Sequence, residues 1–451
     1  MRCQWLNWRY YRLMNKAVAK RDFGSFHSSN VEELIRLPED DYEPPELPFK
    51  CPTFDEYRTR LPHFGSETRK LHFLLEEECT FLNHGAFGGV LKEALMASQE
   101  VQVYAERQPL RLYDRELLPL MVHVNRRLAT FVGCSPEEVV LMTNATTALN
   151  TVIKSIPFQP GDKIFCLSVT YGAVKKLLNW VCSQTGAVLQ EVKVKFPIRS
   201  REEVVNYVRE HLQEETKLAV FDHIPSNTPF ILPLEEMIPI CKTRNVPVLI
   251  DGAHALGVIS LDLHHLQPDY YVSNAHKWFC CPKGSAFLYV QRELKDRIRP
   301  LIVSHGFGSG FSSEFIWTGL HDYSPYLAMH VVLNFWEAVG PEKIKTYMYD
   351  LCRKAGQLLC EMWGTRLAAP EDMFGSMCLV GLPCEVYSNV KEVDYSTAER
   401  VQNELYHRYN IEVPIKCIDG SLYVRISAHI YNEIHEYKKL GHAMLEIKLS
   451  E

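Results

Sequence analysis

The sequence predicts an α/β protein with a mostly parallel central sheet, helices on both faces, and a smaller α+β domain at the C-terminus. Short apolar runs alternate with longer amphipathic stretches from Thr80 onward. Nearly continuous apolar runs are typical of strands that are buried on both faces of a parallel sheet. After about residue 326 the pattern changes to a long helix, short strands and a closing helix. We therefore expect an N-terminal extension (1–75), a large domain (76–325) and a small domain (326–451).

Six apolar runs predict the strands of the central sheet, and amphipathic stretches such as 173–186 and 234–245 predict helices between them. In chain order the six runs end at Thr143, Val169, Asp222, Asp251, Ser273 and Val290. The runs SMCLVGL (376–382) and LYVRISA (422–428) predict strands of the small domain.

Composition excludes several classes of protein. The chain has 451 residues, of which 46% are hydrophobic and 23% charged, with a net charge of -6 and no basic stripe, so we expect no nucleic-acid partner. Its fourteen cysteines include no Cys-x-x-Cys pair and no zinc-like spacing with histidine, which indicates reduced thiols in an intracellular protein without a metal site. No apolar run reaches the roughly 18 residues of a membrane span.

The N-terminal region has two unusual segments. Residues 1–21 contain six Lys and Arg and no acid, a composition that fits a mitochondrial transit peptide. The alternative is a solvated basic arm, because the segment is also rich in Trp and Tyr. We expect a cytoplasmic protein, with the mitochondrial matrix as the alternative. Residues 37–62 hold six prolines and many acids, which predicts an extended leader that lies on the surface.

The first strand is followed by TNATTALN, which opens a helix. In an open α/β sheet the ligand lies outside the carboxyl ends of the strands. A helix N-terminus offers unpaired N–H groups and the positive end of the helix dipole, which suits phosphate. Here Thr146 adds a hydroxyl, and the small Ala145 allows close approach to the backbone. The alternative is an ordinary helix cap.

Two further motifs carry an acid and an amine. DGAHALG places Asp251 at a strand end, and SNAHKW places Lys277 between His276 and Trp278. A lysine among apolar groups has a lowered pKa and acts as an amine nucleophile. Alone, such an Asp is a turn residue and such a Lys is solvated. Together with a phosphate cradle and an aromatic side chain, they are what pyridoxal phosphate (PLP) requires: the lysine forms the Schiff base, and the acid keeps the pyridine nitrogen protonated.

The ordered motifs identify a resemblance. The set LNHGAFGG, TNATTALN, TYGAV, DGAHALG, SNAHKW, FIWTGLHDYS and VRISAHIYN resembles the class-V aminotransferase superfamily, which belongs to fold type I of the PLP enzymes. Within it, the chain is most similar to the isopenicillin-N-epimerase-like branch, which also contains L-cysteine desulfhydrases and the C–S lyases of ergothioneine synthesis. The resemblance runs from about residue 80 to about residue 432.

The resemblance implies roles for individual residues. Lys277 is expected to form the Schiff base, Asp251 to pair with the pyridinium, and His254 to help hold that carboxylate. The other expected cofactor contacts are Ala145, Thr146, Tyr171 (stacked on the ring), Ser226, Asn274, His276, Thr318 and Gly319.

Substrate contacts and assembly are also implied. Arg425 is expected to clamp the α-carboxylate of a small amino-acid substrate, a bidentate task that suits guanidinium, with Asn83 and His84 nearby. In relatives, the segment with Thr318 and Gly319 reaches the phosphate of the neighbouring subunit, which implies a homodimer.

Two positions depart from the family pattern. Leu320 replaces a threonine of the family in the segment that contains Thr318, which leaves Thr318 as the hydroxyl there. Pro229 stands where a glycine is usual, which affects the expected contact of Ser226 with the ring hydroxyl.

The absence of one cysteine narrows the reactions that the resemblance allows. The stretch SHGFGSGFSSEF (304–315) lacks the cysteine that persulfide-forming desulfurases carry on the corresponding loop. We interpret Cys280 and Cys281 as packing residues. The first interpretation is a lyase that converts L-cysteine, or a cysteine-derived thioether or sulfoxide, into pyruvate, ammonia and a sulfur fragment by α,β-elimination. The alternatives are an amino-acid epimerase or aminotransferase and, from a different class, a PLP-binding protein without catalysis.

Overall fold

The computed structural model describes residues 29–449. The basic segment 1–21 lies outside the described residues, and the transit-peptide interpretation stays a prediction. None of the described helices is long and apolar enough to cross a membrane. The thirteen cysteines within 29–449 are all free thiols.

The strands of the described chain are β1 (Thr80–Phe81), β2 (Val139–Met142), β3 (Lys163–Leu167), β4 (Val188–Val192), β5 (Thr216–Asp222), β6 (Val248–Asp251), β7 (Tyr270–Asn274), β8 (Ala286–Val290), β9 (Met377–Gly381), β10 (Ile411–Glu412), β11 (Ile415–Ile418) and β12 (Ser421–Ser427). The α-helices of this part are α1 (Ser29–Arg36), α2 (Asp55–Thr59), α3 (Ser66–His72), α4 (His84–Phe87), α5 (Lys92–Arg107), α6 (Leu117–Val132), α7 (Ala145–Ser155), α8 (Gly172–Thr185), α9 (Arg201–His211), α10 (Leu234–Thr243), α11 (Leu263–Leu266), α12 (Phe311–Ile316), α13 (Ser324–Leu327), α14 (Met329–Val339), α15 (Pro341–Trp363), α16 (Tyr395–Tyr409) and α17 (Ile434–Glu446).

The central sheet has seven strands in the order β2-β8-β7-β6-β5-β3-β4. Neighbouring strands from β7 to β4 pair in parallel, and β8 runs antiparallel to both β7 and β2. Along β2, Val139 and Leu141 pack into one apolar cluster, while Val140 and Met142 pack into a second. Since successive side chains of a strand point to opposite faces, both faces of the sheet are covered. The predicted fold class is confirmed.

A second sheet of three antiparallel strands, in the order β11-β12-β9, follows later in the chain. A separate two-stranded sheet links the earlier part of the chain to the later part, because β1 pairs in parallel with β10 and aligns Thr80 with Ile411. The structure shows where each element lies, and the proposed domain boundaries stay predictions.

Two features differ from the sequence expectation. The single long helix expected from residue 326 is divided into α13, α14 and α15, because Gly340 adopts a φ of 96° and Pro341 starts a new helix. The proline-rich leader, which we expected to lie on the surface, also contributes to the core, because Phe49 and Phe54 bury their rings in the large apolar cluster.

Candidate active site

A cavity lies at the carboxyl ends of β5, β6 and β7, where the strand-end argument places a ligand. Its wall includes the last residue of each of these strands, which are Asp222, Asp251 and Asn274. The predicted site residues that line it are Ala145, Thr146, Tyr171, Ser226, Asp251, His254, Asn274, His276 and Lys277.

The surroundings of Lys277 favour its neutral amine more than water does. Burial lowers its pKa from 10.5 to about 8, against the opposing effect of the Asp251 charge. The indole N–H of Trp278 donates to His254 Nδ1 at 3.2 Å, so the proton of the neutral His254 ring resides on Nε2. Nε2 lies 3.2 Å from Lys277 Nζ, and its N–H therefore faces the lysine nitrogen. The form of Lys277 that accepts this hydrogen bond is the neutral amine, which is also the form that attacks a carbonyl, so the contact contributes to the lowered pKa.

His254 therefore has a different partner from the one we expected. Its two ring nitrogens are bonded to Trp278 and Lys277, and neither reaches the carboxylate of Asp251. Burial, together with the nearby Lys277 and Arg425 charges, holds the pKa of His254 well below its usual value. In this structure the indole of Trp278 orients the ring toward the lysine, and a role of His254 in holding Asp251 stays a prediction.

Two buried carboxylates lie side by side at the strand ends. Asp222 and Asp251 are aligned partners on β5 and β6. Asp251 accepts the N–H of Ala253 at 3.0 Å, and Asp222 accepts that of Tyr171 at 3.3 Å, while Asp222 Oδ2 is buried with no protein partner among the described residues. Burial raises the pKa of Asp251, and burial plus the Asp251 charge raises that of Asp222 further. The sequence analysis missed Asp222, although it ends a predicted strand just as Asp251 does.

The start of α7 forms another wall of the cavity. Asn144 caps the helix by accepting the N–H of Thr147 at 2.8 Å, and Asn274 accepts the N–H of Ala145 at 2.9 Å. His276 Nδ1 lies 3.1 Å from the carbonyl of Ser285, which it contacts as a donor, so Nε2 is the other ring nitrogen available to a ligand. Burial lowers the pKa of His276 to about 4. A phosphate at this helix N-terminus would favour the protonated ring.

Arg425, on β12, is a buried cation without an acidic partner in the part of the chain that the structure describes. It is 3% exposed, and burial lowers its pKa to about 10. The guanidinium donates to the backbone carbonyl and hydroxyl of Ser226 and, at 2.7 Å, to Asn83 Oδ1, while its Nε has no protein acceptor within residues 29–449. Because a buried unpaired charge is unfavourable, this site fits an anionic ligand. Asn83 in turn donates to Glu412 at 2.9 Å.

His84 lies beside the backbone of Lys277. Its Nε2 is 3.0 Å from the backbone carbonyl of Lys277 and its Nδ1 is 2.6 Å from the hydroxyl of Tyr431, and the side chain is fully buried. The ring therefore supports the Lys277 backbone, and a position near the substrate carboxylate stays a prediction. The adjacent Asn83 does reach Arg425, because α4 begins at His84 and turns the two side chains apart.

Thr318 and Gly319 do not line this cavity. Thr318 lines a separate cavity against α1 and β2, and the carbonyl of Gly319 accepts the hydroxyl of Tyr323 at 2.7 Å. Within one chain the segment therefore lies apart from the cavity of Lys277, and its role in a neighbouring subunit stays a prediction.

The residues present fit PLP. The cavity combines a lysine whose pKa is lowered to about 8, a buried carboxylate that needs a cationic partner, a helix N-terminus for phosphate, and Tyr171, which is 43% exposed at its edge. Lys277 would hold the aldehyde carbon, Asp251 the pyridine nitrogen, and the start of α7 with His276 the phosphate.

Comparison with known proteins agrees with this geometry. Residues 105–314 match the family model described as aminotransferase class-V. An L-cysteine desulfhydrase of Arabidopsis thaliana is 31% identical over 399 residues, which cover 81% of this chain and 87% of that protein. The chain belongs to the aminotransferase class-V family.

Other relatives differ in activity. An isopenicillin N epimerase of Amycolatopsis lactamdurans is 27% identical over 83% of this chain and 96% of that protein. The solved structure of the cystine C–S lyase C-DES with its product cysteine persulfide has a TM-score of 0.68 and 19% identity over 83% of this chain and 99% of that chain. A C-DES variant with glycine covalently linked to its PLP cofactor has a TM-score of 0.69 and 19% identity over 82% of this chain and 97% of that chain. These structures share the fold type I architecture with the class-V chain described here.

Proposed function

We propose that this class-V protein is a PLP-dependent C–S lyase that acts on L-cysteine or on a cysteine-derived thioether or sulfoxide. The observation that carries the proposal is the position of Lys277, with its lowered pKa, in a cavity whose rim joins Ser226 to the unpaired Arg425. The named activity of the Arabidopsis relative and of C-DES supports the choice of substrate class.

The chain's own residues supply binding and proton transfer. Bound PLP supplies the electron sink that makes the substrate Cα acidic. Arg425 binds the substrate carboxylate and is oriented by Ser226 and Asn83. Lys277, once its nitrogen is free, takes the Cα proton on the lone pair of its neutral amine, after that lone pair has left the hydrogen bond from His254 Nε2–H. Asp251 stays ionised beside the positively charged pyridine nitrogen, since an opposite charge lowers the pKa that burial raises.

The two thiols that follow Lys277 in the chain favour direct release of sulfur over its transfer to them. Cys280 and Cys281 are both fully buried, and burial raises the pKa of each. Cys280 Sγ lies 3.4 Å from His429 Nε2 in the packed region behind Lys277. A protonated, enclosed thiol is a poor nucleophile, which supports the interpretation of both cysteines as packing residues.

The test is a substrate screen that follows pyruvate, ammonia, sulfur fragment and D-amino acid together. With L-cysteine or an S-substituted L-cysteine we expect pyruvate, ammonia and the sulfur fragment in equal amounts. Formation of D-isomer without sulfur release would instead identify an epimerase. Turnover only in the presence of an added keto acid would identify an aminotransferase.

The protein is proposed to act as a homodimer with shared active sites. Apolar side chains are exposed near the segment that contains Thr318: Leu301, Ile302, Val303, Phe307 and Leu320, the last at 71% exposure. Exposed apolar groups in such number mark interaction surfaces. Sedimentation should show a dimer, and Thr318→Ala should weaken cofactor retention. A fully active monomer would contradict this assembly.

The proposed compartment is the cytoplasm. A fluorescent protein fused behind residues 1–28 tests it, because a transit peptide would carry the fusion into mitochondria.

A further inference from the structure

Two cations project from one face of the small sheet. Lys416 on β11 is opposite Tyr423 on β12, and Tyr423 is two residues before Arg425. Side chains two residues apart on a strand share a face, and directly paired residues do too, so Lys416 and Arg425 are diagonal neighbours. The other face, with Val424 and Ile426, is buried in the large apolar cluster. Lys416 therefore lies on the face from which Arg425 reaches Ser226.

Neither cation is neutralised by the protein. Lys416 is partly buried and makes no hydrogen bond or ion pair with any residue in 29–449, and its pKa is lowered to about 8 by burial and by the charge of Arg425. Two neighbouring unpaired positive charges repel each other, and an anion between them would remove that repulsion. By contrast, nearby Lys193 is paired with Asp419 at 3.0 Å.

Lys416 lies on β11 between Arg425 and a second cavity that neighbours the site. Ile418, two residues further on the same face, lines a second cavity together with Asn227 and Thr228. Asn227 directly follows Ser226, which lines the cavity of Lys277. Lys416 thus lies along the sheet between the carboxylate site at Arg425 and the neighbouring cavity.

We infer that Lys416 is a specificity-determining residue that binds a negatively charged group at the far end of the substrate's sulfur substituent, while Arg425 binds the α-carboxylate. The inference rests on the proposed lyase function and deepens it: the substrate class becomes S-substituted L-cysteines that carry a distal carboxylate or sulfonate. In the overall reaction the Cβ–S bond breaks, the thiol leaves with a proton, and water converts the remaining fragment to pyruvate and ammonium.

The test compares two isosteric substrates, S-(2-carboxyethyl)-L-cysteine and S-(2-carbamoylethyl)-L-cysteine, with L-cysteine as the reference. Both S-substituted compounds have the same C–S bond, and only the first has a distal charge. For the wild-type holoenzyme we expect kcat/KM to favour the carboxylate by about tenfold or more, as a hydrogen bond to a charged group provides. Lys416→Met and Lys416→Gln should bring the ratio close to one, chiefly through a higher KM for the carboxylate.

Two variants control for fold and charge. Lys416→Arg should keep the preference, and Lys193→Met, which removes a paired lysine nearby, should keep it as well. The inference would be overturned if the wild-type ratio of kcat/KM for the two S-substituted substrates is close to one, or if Lys416→Met slows both substrates equally. In either case, cleavage of L-cysteine would still support the lyase function. Absence of pyruvate from all three compounds would overturn both.

Discussion

The indole of Trp278 sets the protonation of Lys277 through His254, and removing its N–H tests this. In Trp278→Phe the donor to His254 Nδ1 is lost, so the ring proton is free to reside on Nδ1 and Nε2 becomes an acceptor for a lysine ammonium. This stabilises the charged form of Lys277. We expect its pKa to rise from about 8 by about one unit, because a hydrogen bond to a charged group contributes about 1.5 kcal/mol.

The expected effect on reactivity follows from the free-base fraction. At about pH 7.5 a pKa of about 8 leaves about a quarter of the amine neutral, whereas the ordinary value of 10.5 would leave about one part in a thousand. A rise of about one unit reduces the quarter to about 3%, which is roughly an eightfold slower reaction. The direction of the pH dependence follows from this: the rate of Schiff-base formation rises as the pH increases through the pKa of Lys277, and it levels off above that pKa.

The assay is the rate at which protein freed of PLP forms its Schiff base with added PLP, followed by absorbance across pH and checked by borohydride trapping. Trp336→Phe is the matched control, since Trp336 is also buried and donates its indole N–H to a backbone carbonyl, that of Phe279, at 3.2 Å. The reasoning is refuted if Trp278→Phe leaves the midpoint of the pH profile unchanged or moves it downward, or if Trp336→Phe shifts it equally.

Three further outcomes are expected. Arg425→Ala should lower kcat/KM about a hundredfold, because the substrate carboxylate loses its buried cation. Differential scanning fluorimetry without substrate should show no fall in Tm, because relief from burying a cation without an acidic partner in the described chain offsets the lost hydrogen bonds to Ser226 and Asn83. Asp222→Asn should stabilise the protein more at pH 8 than at pH 4. The folded-state pKa of Asp222 is raised, so the wild type loses stability as the pH rises above the unfolded pKa of about 4, whereas the asparagine variant does not. Equal gains in Tm at both pH values would contradict this. Replacing Cys280 and Cys281 by alanine should preserve most pyruvate release, and mass spectrometry should find no protein persulfide in the wild type; strong loss of turnover would assign these thiols a chemical role.

The sequence predicted the central strands well where burial leaves a continuous apolar run, as in β6, β7 and β8. It did not reveal β4, because Val188–Val192 lies at the sheet edge and its residues are mostly part-exposed, so no apolar run marks it. Tertiary pairing alone defines β1 and β10, each of two residues.

The site residues also divide into those that the sequence indicated and those that only the folded structure reveals. Strand ends and motif order indicated Asp251 and Lys277, which the structure brings into one cavity. The position of Asp222 beside Asp251 depends on which strands become neighbours, and that is a property of the assembled sheet. The orientation of His254 depends on the indole of Trp278, a contact between residues 24 positions apart that no local pattern encodes.

The pairing of β1 with β10 fixes the order in which the growing chain acquires its parts. The strands from Val139 to Val290 that form the PLP cavity can assemble while the rest is still on the ribosome. Asn83 must wait for Arg425, its partner 342 positions later, which is also 135 residues after the last strand of the cavity ends at Val290. At about 5–20 residues per second those 135 residues take from about 7 to about 27 seconds to synthesise. The strands of the cofactor site are therefore made before the arginine that is proposed to hold the amino acid.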